Sequence, residues 1–169
     1  LSTAQKMADV ELVGLVDIRE EAAQKRAEDF ELTGAEIGTD LQKMLDLTSP
    51  DAVFDCTVPE VHAEVTMTAL RHGCHVIGEK PLADSMEKAR QVVKTAEETG
   101  RTYAVIQNRR YSPQIRRLRK FLGSGAIGKL TTLNCDFYLG AHFGGFRDHM
   151  EHVLLLDMAI HTLDAARYI

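Results

Sequence analysis

The 169 residues carry 20 Lys and Arg against 25 Asp and Glu, a net charge of −5, with 44% hydrophobic content. That length and apolar share suit a core of domain size, and the acidic balance argues against general nucleic-acid affinity. No apolar run approaches the about 18 residues of a membrane span, and no signal-peptide pattern opens the chain. Cys56, Cys74 and Cys135 are widely spaced in strand-like contexts. They read as buried free thiols of a reducing cytosol and place the protein in the cytoplasm. His142, His149, His152 and His161 crowd together, and His149-x-x-His152 could form a metal edge. Metal-site chains show tighter ligand patterns, so no metal is expected.

In chain order, residues 1–8 look like the tail of a helix. Leu12-Val13-Gly14-Leu15-Val16 is an apolar run ending at Asp17, a buried strand. Residues 20–30 follow as an amphipathic helix with Ala22, Ala23, Ala27 and Phe30 inward. A short helix over 40–47 is broken by Ser49-Pro50-Asp51. The next strand, 52–56, leads into Thr57-Val58-Pro59, and helix 60–72 stops at Gly73, a good residue beyond a helix C-terminus. After the strand at 75–78, Asp84-Ser85-Met86-Glu87 forms an acidic variant of the capping box. Met86, Ala89, Val92, Val93 and Ala96 then supply an inward face up to Gly100. Residues 102–107 read as a strand. Ser112-Pro113 opens a helix to Gly123, with serine as N-cap and proline at the first helical position.

This alternation is the pattern of an α/β doubly wound parallel sheet. It changes after Gly123-Ser124-Gly125-Ala126-Ile127-Gly128. Residues 130–139 alternate strictly, with Leu133, Cys135, Phe137 and Leu139 on one face, as a half-exposed antiparallel strand would. The reading is a domain over 1–123 and the start of an α+β domain with an open antiparallel sheet over 129–169. The chain stops in mid-pattern at Tyr168-Ile169, and both ends read as cut.

Two groups of residues carry chemistry. Glu79-Lys80-Pro81 ends the strand at 75–78, where open α/β sheets bind ligands. A lysine there meets a substrate oxygen or a carboxylate, unless the turn is simply solvated. Asp157 and His161 lie four apart in an apolar helical stretch, so they share a face that Asp164 continues. A carboxylate beside an imidazole orients it and favours its protonated form, which suits a general acid/base. An ordinary polar pair on a solvated face would show the same spacing.

With Thr57-Val58-Pro59-x-x-His62, Gly73-x-His75-Val76-x-x-Glu79-Lys80-Pro81, Gln107-Asn108-Arg109-Arg110-Tyr111, Gly125-x-Ile127-Gly128, Phe146-Arg147 and Leu156-Asp157-x-x-x-His161 in this order, the chain resembles the Gfo/Idh/MocA oxidoreductases. The resemblance spans nearly all 169 residues. It implies a Rossmann-type sheet and hydride transfer between NAD or NADP and a sugar, polyol or related hydroxy compound, in a homo-oligomer with no nucleic-acid or membrane partner. Lys80, Asp157 and His161 are the implied catalytic residues. Thr57, Pro59, His62, Glu79, Lys80, Asn108 and Arg147 are implied to line the cofactor. Asp17 ends a strand where an acid binds the adenosine ribose and favours NAD, while Arg19 could accept the 2′-phosphate of NADP.

The family's first strand and Gly-x-Gly-x-x-Gly loop normally precede a segment like 1–8 and are absent here. A gap between the strands at 12–16 and 52–56, and weak dinucleotide binding by the chain as written, are therefore expected. A cis Lys80–Pro81 bond is expected too. Arg116, Arg117, Arg119 and Lys120 read as the solvated face of a helix with no aromatic platform, whereas Arg109 or Arg110, past a strand tip, could reach the site. Two rival functions stay open: a non-catalytic nucleotide-sensing regulator of this fold, and an NAD-dependent glycosidase.

Overall fold

Strands and helices alternate from the start of the chain in the computed structural model, which describes residues 1–138, 140 and 144–169. Strand β1 (Gly14–Val16), helix α1 (Glu20–Asp29), strand β2 (Glu36–Gly38) and helix α2 (Leu41–Thr48) come first. Then follow β3 (Ala52–Asp55), α3 (His62–His72), β4 (His75–Gly78), α4 (Met86–Thr99), β5 (Tyr103–Val105) and α5 (Pro113–Gly123). Every pairing is parallel: β1 with β2, β3 with β4, and β4 with β5. Among the described residues β1 and β3 share no ladder, so the strands form a two-stranded and a three-stranded sheet. The expected gap lies at that place.

Local chemistry sets the boundaries. The side chain of Asp40 accepts the N–H of Lys43 at 3.1 Å and starts α2; Ser112, before Pro113, caps α5 in the same way. Helix α3 ends on Gly73 at φ 97°, a conformation open to glycine at little cost. The core joins Leu45 of α2, Ala69 and Leu70 of α3, Cys74, and Val76 of β4, with Val53, Ala96 and Tyr103 packed around them. Gly78 lets the Tyr103 ring lie across the end of β4: a Cβ there would come within 3.2 Å of that ring.

Several expectations are corrected. Residues 130–138 form no strand; they are exposed and irregular, and Leu139 lies outside the described residues, as does His142. Alternation alone does not make a strand, because a strand needs a ladder partner, and none lies beside this run among the described residues. Ser85 rather than Asp84 caps α4, accepting the Lys88 N–H, while Asp84 pairs with the Lys88 ammonium at 2.6 Å. Met86 and Val93 face solvent, and Val92 and Thr95 take the inward face. Cys74 is buried, but Cys56 and Cys135 are exposed.

The last segment also departs from a plain helix. A single π-turn, Leu154–Met158, leads into α6 (Ala159–Tyr168). Helix α6 docks on the 3-10 turn Asn108–Tyr111 that follows β5. There the Arg110 guanidinium grips both oxygens of Asp164, Nε reaching Oδ2 at 2.9 Å. Arg110 and Arg119 both lie over the Tyr168 ring, their guanidinium carbons 5.4 and 4.2 Å from its centre. Arg119 therefore does meet an aromatic ring, and it serves to hold α6.

Candidate active site

The carboxyl ends of β3, β4 and β5 carry Thr57, Glu79-Lys80 and Gln107-Asn108, and the π-turn brings Asp157, and α6 His161, to them. Lys80 Nζ donates to Asp157 Oδ1 at 2.5 Å and to the Asp157 carbonyl at 3.0 Å. Arg147 Nε donates to the other carboxylate oxygen at 2.8 Å. Asp157 is 2% exposed. Burial alone would push its carboxyl up, but the bonds from Arg147 and Lys80 outweigh that and hold it below the usual carboxylate range. The Lys80–Pro81 bond is cis, as expected.

His161 differs from its expectation in two ways. Both oxygens of Asp157 face cations, and no hydrogen bond joins it to His161; the π-turn between them alters the simple i,i+4 register. His161 is buried and its Nδ1 has no partner among the described residues. Burial lowers its pKa, Arg109 and Lys80 lower it further, and Asp157 and Asp164 do not make up the difference. The imidazole is therefore neutral near pH 7, the form of a base and not of an acid.

The residues expected at a cofactor are spread along the same edge. Asp17, at the end of β1, accepts the Arg19 N–H on Oδ1 at 2.9 Å, while its Oδ2 has no partner among the described residues. Arg19 is exposed, as are Thr57 and Asn108. Glu79 is half-buried, and its Oε2 accepts the Lys80 N–H at 3.3 Å. Pro59 is buried in the turn after β3. The imidazole of His62 is 1% exposed and held by Asp55 and Thr57, so it offers no surface for a direct contact. The correction has a plain cause: the acid at position 55 draws the ring inward.

These residues fit a dinucleotide with a hydroxylated substrate. An open carboxylate oxygen at Asp17 suits a ribose diol, and His161 Nδ1 and Gln107 Oε1 lie buried without a hydrogen-bond partner among the described residues, as polar atoms at functional sites often do. Sequence reasoning missed Asp55 and left Arg109 unassigned. A lone acid in the apolar run 52–56 was the available signal for the first. Among the described residues no three His, Cys, Asp or Glu side chains group as metal ligands would, and no helix is long and apolar enough to cross a membrane.

Parallel strands with crossover helices, and polar side chains gathered at their carboxyl ends, are the features of a dinucleotide-binding α/β protein. The chain belongs to the Gfo/Idh/MocA oxidoreductases: the family model for their NAD-binding Rossmann fold matches residues 1–107. The D-glucoside 3-dehydrogenase of Escherichia coli K12 is 35% identical over 166 residues, 95% of this chain and 47% of that protein. The chain spans about half the length of the curated relatives it matches. The crystal structure of myo-inositol 2-dehydrogenase from Lactobacillus plantarum superposes with a TM-score of 0.80 at 22% identity, covering 98% of this chain and 50% of that one, a likeness of fold. The WlbA dehydrogenase from Bordetella pertussis, solved with NADH and UDP-GlcNAcA, has a TM-score of 0.64 at 28% identity, covering 69% of this chain and 35% of that one.

Proposed function

We propose that the chain is the cofactor-binding and catalytic part of an NAD(P)-dependent oxidoreductase acting on a CH–OH group of a sugar, polyol or related hydroxy compound. The observation that carries this is the Lys80–Asp157 pair beside a His161 held neutral by burial, Arg109 and Lys80. A bound nicotinamide supplies the hydride acceptor. The neutral imidazole of His161 takes the carbinol proton. Lys80 has two of its three N–H bonds committed to Asp157, which leaves one for the substrate oxygen as negative charge develops there. Arg147 and Lys80 together keep Asp157 ionised, so the carboxylate anchors the ammonium and does not carry the proton.

Asp17 favours NAD, and Arg19 leaves room for NADP. Residues 1–123 act as the cofactor domain and 129–169 as the start of a substrate domain, in a cytoplasmic homo-oligomer; the free thiols agree with a reducing compartment. A nucleotide-sensing regulator would have no use for the Lys80, Asp157 and His161 set. A screen of polyols and sugars with NAD and NADP tests the reading by the appearance of reduced cofactor. Cofactor binding without turnover would favour the regulator, and release of free sugar from an aryl glycoside the glycosidase.

A further inference from the structure

Beneath the turn after β3 lies a polar cluster that the chemistry above does not use. Asp55 and His62 are each 1% exposed. Apolar side chains of similar volume often serve a core as well as buried polar groups that depend on each other, so stability alone does not explain this pair. Its bonds converge on one hydroxyl. Asp55 Oδ1 accepts the Thr57 N–H at 3.1 Å and the Thr57 hydroxyl at 2.6 Å, and Oδ2 accepts the Thr66 hydroxyl at 3.1 Å. His62 Nδ1 lies 3.1 Å from Asp55 Oδ1 and 3.2 Å from Thr57 Oγ1. Both of those oxygens act as acceptors toward it, so Nδ1 carries the proton. Burial would raise the Asp55 carboxyl, but the bonds from His62 and Thr57 outweigh it and keep the group ionised.

The Thr57 hydroxyl has given its own proton to Asp55, so toward any further group its oxygen can only accept. Thr57 is exposed at the carboxyl end of β3. The Asp55 carbonyl takes the Glu79 N–H at 2.8 Å, which ties this turn to the strand tip bearing Lys80. We propose that Asp55 and His62 are positioning residues that fix Thr57 Oγ1 as an acceptor for a hydrogen-bond donor of the bound dinucleotide, on the Lys80 side of the site. The assignment rests on the dinucleotide-dependent reading given above.

The test is NADH affinity by fluorescence titration on the natural protein, with steady-state kinetics alongside. Thr57→Ser keeps the acceptor and should bind like the wild type, whereas Thr57→Val should lose about tenfold, the scale of one hydrogen bond. The double variant Asp55→Val/His62→Leu strands no charge. It should melt close to the wild type yet lose about the same tenfold in NADH affinity, with the KM of the hydroxy substrate at saturating cofactor unchanged. His62→Asn, which keeps an N–H donor, should restore what His62→Leu loses, and this pair decides if the double variant does not fold. Unchanged NADH affinity in Thr57→Val, or in a folded Asp55→Val/His62→Leu, overturns the proposal. Wild-type protein that binds NADH but oxidises nothing contradicts the proposed chemistry alone, and wild-type protein that does not bind NADH contradicts both.

Discussion

In the proposed mechanism the chemistry turns on Lys80, Asp157 and His161, and each leaves a separable signature. Lys80→Ala and His161→Ala should each lower turnover by orders of magnitude while cofactor affinity stays nearly constant, because neither faces the adenosine half; kcat, KM and a binding titration together check this. The pH profile follows from the direction of the His161 shift. A base must be neutral, and burial, Arg109 and Lys80 hold the imidazole below its ordinary value of about 6.5. Oxidation should therefore hold its rate down through pH 6.5 and fall only as pH drops through the lowered value. Arg109→Ala removes one depressing charge and should move that acid limb upward. A limb that stays in place or moves down would show that Arg109 does not act on His161. At this scale the three residues were legible from motif and order. The bonds between them were not, because a π-turn and two competing cations set the partner of Asp157.

Among the elements, those ended by a specific residue were the readable ones. Asp40, Ser112-Pro113, Gly73 and Gly100 mark helix ends through local chemistry that needs no distant partner. Gly73→Ala, at φ 97°, should cost about 1 kcal/mol, read as a lower urea midpoint with an unchanged slope. Strand β2 was missed because Glu36-Ile37-Gly38 has one apolar residue and is defined only by its pairing with β1. The run at 130–138 failed in the opposite sense: a clear alternating pattern without a partner strand. Met86 and Val93 misled for a related reason, since helical period names a stripe, and what packs on it decides which edge is covered.

Over the whole molecule, the three-stranded sheet with α2 and α3 holds the buried core cluster, and the β1–β2 pair forms a separate ladder that packs on Met44 of α2. Amide exchange should accordingly be slowest in β3, β4 and α3 and faster in β1 and β2; equal protection across both sheets would contradict the division. Acid should unfold the protein through its buried carboxylates. Asp55 and Asp157 both sit below the ordinary range, so their contribution is complete above about pH 4 and is lost as pH falls through their lowered values. Urea midpoints measured from neutral to acid pH would show this decline, and a midpoint flat across that range would not fit. Exposed Leu154, Leu155, Leu156 and Leu163 lie on the same segment as Asp157 and His161, a placement that periodicity did not foretell.

The central claim is that hydride leaves a carbinol carbon in a cleft where Lys80 and His161 hold the carbinol oxygen and its proton. The direct measurement uses a hydroxy substrate found by the screen, labelled with deuterium at that carbon, and follows the label by mass spectrometry. The account predicts one deuterium transferred to the nicotinamide per turnover, abolished in step with rate by His161→Ala. Deuterium lost to water, or transfer that persists at full rate without His161, would contradict it.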